Sequence, residues 1–399
     1  MKIAVIGAGI GGLSVAVGLQ RAGAEVTVFE RASEVRAGGS GLSIFANGLA
    51  ALETLGLSEA FDAVTDAGVE GFAAGQRLAD GRWIAQVPND AVGALRIVDR
   101  ADLHRILLDA LTPGTVHTDS EATVTGTDGT LTVEEPGSAG SAVSEHFDLI
   151  IGSDGLHSRT RTAVEGETIA PRYSGYSAWR GITSVPVDLS GEAGESVGHG
   201  RRFGIAPLAD GRVYWFAVAN MSQNAVFAGE KATVEQMFTG WHSPIADLIA
   251  ATPAEEVRRT AISDLSRRLA RFYRGRVVLI GDAAHAMTPN LGQGGGQALE
   301  DAATLTVLLT PLLERGRAGD SAALRAALQR FDALRRPRAQ SIAQKSRLMG
   351  QVFQLESPLL AGLRNAVFSA VPSRFIAAQA ASVQKWLPPS PAQSVRARL

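Results

Sequence analysis

Six residues near the N-terminus have the types and spacing of a phosphate-binding turn. The segment 7–12 reads G-A-G-I-G-G, follows the apolar run 3–6 and precedes a stretch with helical spacing of apolar side chains. In such a turn Gly7 permits a sharp change of direction, Gly9 lets a pyrophosphate approach the backbone, and Gly12 allows close helix–strand packing. The free N–H groups at the start of the helix then face the phosphates. The chemistry indicated is the binding of a dinucleotide.

An acidic residue follows at the end of the next predicted strand. Glu30 lies 18 residues after Gly12, where a carboxylate accepts hydrogen bonds from ribose hydroxyls. Because a carboxylate there disfavours a 2′-phosphate, the nucleotide held at this turn is not NADP. These residues alone leave NAD and FAD equally open.

Two further signatures place an aspartate after a predicted buried strand. D-G-L-H-S-R-T-R at 154–161 follows one such strand, and G-D-A-A-H at 281–285 follows another. Open α/β sheets bind ligands at the carboxyl ends of their parallel strands. Asp282 is well placed there to accept hydrogen bonds from a polyol chain. The glycine-rich loop 292–296 and the helix after it offer backbone N–H groups to an electron-rich carbonyl edge, which suits a flavin.

In combination, these motifs resemble those of the single-component, class A flavoprotein monooxygenases of the para-hydroxybenzoate hydroxylase fold. The resemblance rests on three motifs in this order: G-x-G-x-x-G, D-G-x-x-S-x-x-R (154–161) and G-D-A-A-H-x-x-x-P (281–289). Shorter matches are R-A-D-L at 100–103, G-Y-S-A-W-R-G at 175–181 and R-R-P-R at 335–338, so the resemblance covers about residues 1–347. The chain looks closest to the branch with bacterial urate hydroxylase, salicylate hydroxylase-like enzymes and zeaxanthin-epoxidase-like proteins.

The fold implied by the resemblance is α/β. It comprises a Rossmann-like FAD-binding lobe of the glutathione-reductase type, an inserted antiparallel-sheet substrate lobe and C-terminal helices. Short alternating runs between 174 and 265 predict antiparallel strands. Beyond residue 322 the pattern is helical, with breaks expected at Pro337, Pro358, Pro372 and Pro388-Pro389. We predict a discontinuous FAD-binding domain (1–72, 96–172 and 266–350), a substrate-binding sheet domain (73–95 and 173–265) and a C-terminal helical segment (351–399).

The resemblance also implies which residues bind a non-covalent FAD. Glu30 is expected to hold the adenosine ribose, Asp282 the ribityl chain, and Arg100 to lie against the cofactor. For Asp154, capping of a strand–helix turn is the alternative interpretation. We expect no metal site. The residues expected at the cofactor are Gly7, Gly9, Gly12, Glu30, Arg31, Arg100, Asp154, Asp282, Pro289, Gly292, Gly294 and Gly295.

The activity implied is insertion of one oxygen atom from O2 into a small aromatic or heteroaromatic substrate. NADPH or NADH would bind transiently and reduce the flavin, and a flavin C4a-hydroperoxide would deliver the oxygen. Arg202 and Tyr214 stand where the urate hydroxylase branch places residues that contact substrate. Asn290 replaces an Asp of that branch, and because an amide cannot become an anion or a base, urate itself is in doubt. These three residues are the predicted substrate contacts. Core packing is the alternative interpretation for most of the aromatic residues among the further pocket candidates, which are Trp179, Phe203, Phe216, Met287 and Pro289.

Composition excludes several other classes of protein. The chain has no cysteine, which excludes disulfides, thiolate metal sites, iron–sulfur clusters and dithiol flavin reductases. The net charge of −2 gives no electrostatic reason to expect nucleic acid or an anionic membrane. No run approaches the roughly 20 apolar residues that cross a bilayer. We therefore expect a cytoplasmic monomer or homodimer without a transmembrane segment.

Two other functions remain open on these observations. A FAD-dependent dehydrogenase or reductase could use the same fold, because shared motifs bind FAD without fixing its second half-reaction. A non-catalytic flavoprotein that sequesters a planar ligand would bind that ligand without consuming NAD(P)H. Turnover of NAD(P)H separates this last alternative from the enzymes.

Overall fold

The described part of the chain contains two large β-sheets, a three-stranded and a two-stranded sheet, and a helical C-terminal part. The computed structural model describes residues 1–35, 40–65, 71–87, 94–134, 142–314 and 320–390. The strands are β1 (Lys2–Ile6), β2 (Glu25–Phe29), β3 (Gly41–Ile44), β4 (Ala74–Leu78), β5 (Trp83–Val87), β6 (Arg96–Asp99), β7 (Val116–His117), β8 (Glu121–Val124), β9 (Thr130–Glu134), β10 (Val143–His146), β11 (Leu149–Gly152), β12 (Pro171–Ile182), β13 (Gly194–Val197), β14 (Arg201–Pro207), β15 (Val213–Asn220), β16 (Arg258–Leu265), β17 (Tyr273–Arg274) and β18 (Val277–Leu279). The helices are α1 (Ile10–Arg21), α2 (Ala46–Thr54), α3 (Ser58–Asp62), α4 (Arg100–Asp109), α5 (Thr160–Glu165), α6 (Glu230–Met237), α7 (Ile245–Ala250), α8 (Asp282–His285), α9 (Gly294–Glu314), α10 (Ser321–Phe353), α11 (Pro358–Ala370) and α12 (Ser373–Gln384).

The six-stranded sheet brings the three sequence motifs to one edge. Its order is β17-β18-β11-β1-β2-β7, and all pairs are parallel except β17 with β18. Every residue of β11 and β18 is buried, as expected for strands covered on both faces. Beyond their carboxyl ends, Ser153 N–H donates to Ile6 O at 2.9 Å and Ile280 N–H donates to Gly152 O at 3.0 Å. The turns after β1, β11 and β18 therefore meet, and the predicted α/β class is confirmed.

The seven-stranded sheet has two chemically different faces. Its order is β16-β12-β15-β14-β13-β4-β5, and only the pair β13–β4 is parallel. One face carries three large buried aromatic side chains that pack with α6 and α7: Trp179, Phe203 and Trp215. The pairing of β14 with β15 sets Arg202 opposite Val218 and Ala206 opposite Tyr214. Because residues two apart in a strand share a face, Arg202 and Tyr214 both lie on the opposite side of the sheet.

The helical C-terminal part differs from the prediction at one proline. The break expected at Pro337 is wrong, because α10 continues from Ser321 through Pro337 to Phe353. Arg335 and Arg338, on either side of this proline, bond carboxylates of α9, and these tertiary contacts hold the helical turn. The breaks at Pro358 and Pro372 are confirmed, since they begin α11 and precede α12.

The predicted domain boundaries stay a prediction. The predicted domains include residues 36–39, 66–70, 88–93, 135–141, 315–319 and 391–399, which lie outside the described residues. Within the described ranges, no helix combines the length and the hydropathy that a bilayer crossing requires.

A buried ionic cluster joins α9 to α10. Arg335 Nε donates to Asp301 Oδ1 at 2.7 Å, and the same guanidinium pairs with Glu300. Arg338 makes a second, bidentate pair with Glu300 at 2.7 and 2.8 Å. Burial opposes ionisation of Asp301, but His285 and Arg335 hold the pKa of this carboxyl below its ordinary value. The cluster is therefore charged, and its members depend on one another.

Replacing Arg335 with methionine should lower the free energy of unfolding by about 3–5 kcal/mol, because Asp301 would remain buried without its cation. Urea unfolding at neutral pH measures the loss. Arg336→Met is the matched control, because it removes a more exposed pair with Asp332 on the same helix and should cost no more than about 1 kcal/mol. Equal losses for the two variants would contradict the role assigned to the cluster.

Candidate active site

The phosphate-binding turn combines two glycines required by the fold with one that borders open space. Gly7 has a φ of +101°, and a Cβ there would lie 2.5 Å from Ser153 O. A Cβ on Gly12 would lie 2.0 Å from Gly7 O. A Cβ on Gly9 would meet nothing within 4 Å, and α1 begins directly after Gly9 without a side-chain cap. The helix N-terminus thus faces a space where a pyrophosphate can contact the backbone.

Two backbone N–H groups in and near the phosphate-binding turn hold the carboxylate of Glu30. Its Oε2 accepts from Ala8 N–H at 2.9 Å and its Oε1 accepts from Ala32 N–H at 3.0 Å. Each carboxylate oxygen keeps a second lone pair for a ribose hydroxyl. Arg31, the next residue, is exposed.

His104 is a candidate cofactor contact that the sequence analysis missed. It is only 5% exposed, and neither ring nitrogen has a hydrogen-bond partner within the described part of the chain. Burial lowers the pKa of His104 to about 4, and the positive charge of Arg100 adds to this effect while Glu30 opposes it. A neutral, unpartnered imidazole near Glu30 and Arg100 fits a site that a polar ligand completes. Its only signal in the sequence is its position one helical turn after Arg100.

Asp282 presents an exposed carboxylate at the carboxyl end of β18. Among the described residues, no hydrogen bond occupies this carboxylate, so it is available to a polyol chain. The charges of Asp282 and Arg180 both act on the exposed Arg100. Behind the turn, Asp301 Oδ2 accepts from Gly281 N–H at 2.9 Å and lies 2.5 Å from His285 Nε2. The ionic cluster between α9 and α10 thereby positions Asp282.

Asp154 makes the contacts of a helix cap. It accepts from the backbone N–H groups of Arg159 at 2.9 Å and Thr160 at 3.0 Å, and from Ser158 Oγ at 2.6 Å. These contacts agree with the alternative interpretation of Asp154, and a contact between Asp154 and the cofactor stays a prediction. Arg161 is buried, and its guanidinium donates to Ala283 O at 3.1 Å, which joins the second motif to the third.

The predicted flavin loop lies against β3. Pro289 is exposed in a short 3-10 turn that ends at Gly292, whose φ is +61°. A Cβ on Gly295 would lie 3.1 Å from Leu42 of β3, whereas a Cβ on Gly294 would meet nothing within 4 Å. The first residue of α9 therefore borders open space, with its N–H groups and positive dipole end available to an electron-rich group.

The structure joins two of the three predicted pocket residues. Arg202 Nη2 donates to Asn290 Oδ1 at 2.7 Å, while its Nη1 donates to Glu195 at 3.0 Å and its Nε to Gln354 at 2.8 Å. Asn290 Nδ2 in turn donates to Tyr176 OH at 2.9 Å. Glu195, Gln354 and Tyr176 were not predicted as site residues, because they come from strands and a helix end far apart in sequence.

Tyr214 lies outside this hydrogen-bond network, on the same face of the sheet. Its ring covers Gly41 of β3, where an added Cβ would lie 2.3 Å from the ring. Burial raises the pKa of Tyr214, although Arg180 opposes this effect, so its hydroxyl remains protonated near neutral pH.

Within the described ranges, no group of His, Asp and Glu side chains has the arrangement of a metal site.

Gly9→Val should abolish FAD binding while the protein still folds, because Gly9 has a negative φ and open space around it. Gly12→Val is the contrasting variant and should fail to fold or unfold at much lower temperature, since its side chain would collide with Gly7 O. The ratio of flavin to protein absorbance and the thermal unfolding midpoint measure the two effects. Full FAD content in Gly9→Val would show that the turn does not hold the cofactor.

His104 should make stability pH-dependent below neutral pH. The unfolded chain binds a proton at this residue below pH 6.5, whereas the folded chain does so only below about pH 4, so stability falls as the pH drops through this window. Between neutral pH and about pH 4.5, the wild type should lose about 2–3 kcal/mol more than His104→Gln, as measured by urea unfolding at equal FAD saturation. Parallel losses in both proteins would contradict the pKa assigned to His104.

Known proteins share both the sequence and the fold of this chain. Residues 1–346 match the FAD binding domain family. The aurachin C monooxygenase/isomerase of Stigmatella aurantiaca is 36% identical over 368 residues, which are 91% of this chain and 92% of that protein. The 3-amino-4-hydroxybenzoate 2-monooxygenase of Streptomyces cremeus is 34% identical over 375 residues, with 89% and 88% covered. The crystal structure of Klebsiella pneumoniae HpxO complexed with FAD and uric acid superimposes with a TM-score of 0.82 at 29% identity, with 96% of each chain covered. The chain thus belongs to the FAD-binding family of class A flavoprotein monooxygenases, and its cofactor is FAD.

Proposed function

We propose that this chain uses FAD, NADPH or NADH, and O2 to hydroxylate a small planar aromatic or heteroaromatic substrate. The observation that carries the proposal is the position of the loop that precedes α9. Gly292 lies against Phe45, just beyond β3, while Asn290 bonds Tyr176 and Arg202 on the open face of the seven-stranded sheet. The cofactor cradle and the proposed substrate face therefore adjoin. A cytoplasmic location and a monomeric or homodimeric state belong to the same proposal.

The residues of the chain bind the cofactor, orient the substrate and shield the reacting region from water. FAD supplies the activation of O2 after reduction by NAD(P)H. Glu30 and Asp282 would hold the ribose and ribityl hydroxyls. The α9 N-terminus at Gly294 would stabilise the negative charge that reduction places on the adjoining edge of the cofactor. The seven-stranded sheet would cover the reacting region and exclude water.

Glycines make room for two aromatic rings on the substrate face. A Cβ on Gly204 would lie 2.1 Å from the Phe216 ring, and a Cβ on Gly41 would collide with the ring of Tyr214. The ring centroids are 6.2 Å apart and the ring planes are tilted by 44°. The half-buried ring of Phe216 favours an aromatic substrate, because offset or edge-to-face ring contacts add to apolar burial.

The hydrogen-bond network around Asn290 favours a substrate that is already electron-rich. The charge of Arg202 is neutralised by Glu195, and its other two hydrogen bonds go to the amide oxygens of Gln354 and Asn290. Asn290 uses its oxygen on Arg202 and its nitrogen on Tyr176 and Ser346 O, and an amide is not a base. This arrangement supports the doubt about urate. Amino- or hydroxyl-substituted rings suit it better, because they need no side-chain base to become electron-rich.

The function is tested by incubating the FAD-loaded enzyme with NADH or NADPH under ¹⁸O-labelled dioxygen and a panel of amino- and hydroxy-aromatic compounds. The expected result is substrate-stimulated NAD(P)H oxidation and a product that contains one oxygen atom from O2, identified by mass spectrometry. A product that gains or loses only hydrogen would overturn the proposal in favour of a dehydrogenase or reductase. Ligand binding without any NAD(P)H consumption would indicate a carrier.

Asn290→Asp should lower kcat/KM for the preferred substrate by about tenfold, because a carboxylate would face Ser346 O without a hydrogen to donate. The FAD content should remain that of the wild type. Asn224→Asp, at an exposed position, is the matched control and should leave kcat/KM unchanged. Unaltered kinetics of Asn290→Asp on every substrate would remove this residue from the pocket.

A further inference from the structure

One residue of α10 holds the segment that leads into the predicted flavin loop. Ser346 Oγ donates to Thr288 O at 2.6 Å, and Ser346 O accepts from Asn290 Nδ2 at 3.0 Å. Within the segment, Gly292 N–H donates to Pro289 O at 2.9 Å and closes the short 3-10 turn. The loop is therefore attached to α10 on both sides of Pro289.

Gly350 lies one helical turn after Ser346, on the same side of α10. It is buried, and a Cβ at this position would collide with Asn290 Nδ2 and lie 2.6 Å from Tyr176 OH. Because packed side chains do not approach one another this closely, a larger residue would displace both groups. The lack of a side chain at Gly350 thus lets the Asn290 amide lie against the helix and reach Ser346 O.

The glycine at position 350 is unfavourable for the helix itself. Glycine inside a helix is less stable than alanine, because it loses more backbone freedom on folding. Gly362, inside α11, is a contrasting case: it is exposed, and a Cβ there would meet nothing within 4 Å. Steric need therefore accounts for the glycine at 350 and does not account for the one at 362.

Displacement of Asn290 would affect both the loop and the seven-stranded sheet. Its Oδ1 accepts from Arg202 Nη2 at 2.7 Å, and its Nδ2 donates to Tyr176 OH at 2.9 Å. The Arg202 guanidinium lies 5.9 Å from the ring centroid of Tyr176 and 5.7 Å from that of Phe353. Moving the amide would break these hydrogen bonds and shift the turn that ends at Gly292.

We propose that Gly350 is a positioning residue for the flavin loop. By leaving space, it fixes the Asn290 amide against α10 and thereby sets where the loop meets the cofactor. The inference rests on the proposed function, since it takes the loop that follows Asn290 to contact FAD. Gly350 itself touches neither the cofactor nor the substrate in this proposal and acts through Asn290.

The test is the rate at which the diluted, full-length holoenzyme releases FAD, measured by filtration at fixed times. Gly350→Ala should release FAD about tenfold faster than the wild type, which corresponds to the loss of one buried hydrogen bond. The visible absorbance spectrum of its bound FAD should also differ, and a purely structural role of Gly350 would leave that spectrum unchanged. Gly362→Ala is the matched control, because it makes the same substitution in open space and should release FAD at the wild-type rate.

A double-mutant cycle decides whether Gly350 acts through Asn290. Asn290→Ala removes the amide that the new Cβ would displace, and the Tyr176 hydroxyl can move into the vacated space. Adding Gly350→Ala to Asn290→Ala should therefore change the release rate by less than about twofold. If Gly350→Ala alone fails to fold, the double variant should fold and bind FAD, because the collision with the amide is gone.

A wild-type release rate and an unchanged flavin spectrum in Gly350→Ala would overturn the proposal. So would an equal change in Gly362→Ala, or a double variant that does not fold. Effects of Gly350→Ala and Asn290→Ala that simply multiply would also overturn it, since Gly350 would then act independently of Asn290. These measurements need neither NAD(P)H nor a substrate, so a failure to insert oxygen from O2 would contradict the proposed function and leave this inference standing.

Discussion

Asp301 and Glu300 stand adjacent on α9 and have no access to solvent, and the geometry of the cofactor site depends on how they are satisfied. Taking two carboxylates out of water is costly unless cations and hydrogen-bond donors surround them. Here Arg335 and Arg338 supply the cations, and Asn47 donates to Glu300 at 2.7 Å. The same groups therefore tie α2, α9 and α10 to one another.

This cluster has a direct consequence for chemistry. Asp301 also accepts a hydrogen bond from Gly281 N–H and contacts His285. The buried charges therefore fix the position of the turn that presents Asp282. The N-terminus of α9, which begins at Gly294, is part of the same helix that carries both carboxylates. A site held in this way is preorganised, because the groups that bind the cofactor need little rearrangement when it arrives. The buried charges of this cluster therefore lie behind the turn and the helix N-terminus that are predicted to bind the flavin cofactor.

A second hydrogen-bond network connects the cofactor loop to the seven-stranded sheet. Asn290 reaches Arg202 and Tyr176, and Arg202 reaches Gln354 at the end of α10. A change at the C-terminal helices is therefore coupled through hydrogen bonds to the proposed substrate face.

Local sequence was sufficient where a property depends on residues close together in the chain. Gly7, Gly9, Gly12 and Glu30 lie in one strand–helix–strand unit, so their spacing predicted the turn, and three such motifs in order predicted the α/β class and FAD. The environment of a side chain could not be predicted in this way, because it depends on segments that are distant in the sequence. Arg202 and Gln354 are 152 residues apart, yet they share a hydrogen bond that orients a predicted substrate contact.

The same reason explains the other differences between sequence and structure. Pro337 does not end α10, because flanking arginines bond α9. His104 is buried by the tertiary packing around α4, and within the described residues its ring has no hydrogen-bond partner. Only the packing of Arg364 showed which side of α11 faces water. The sequence by itself determined the cofactor and the fold class, since both follow from short motifs. Tertiary structure alone decided which charges are neutralised and which apolar groups are exposed, since both depend on contacts between residues far apart in the chain.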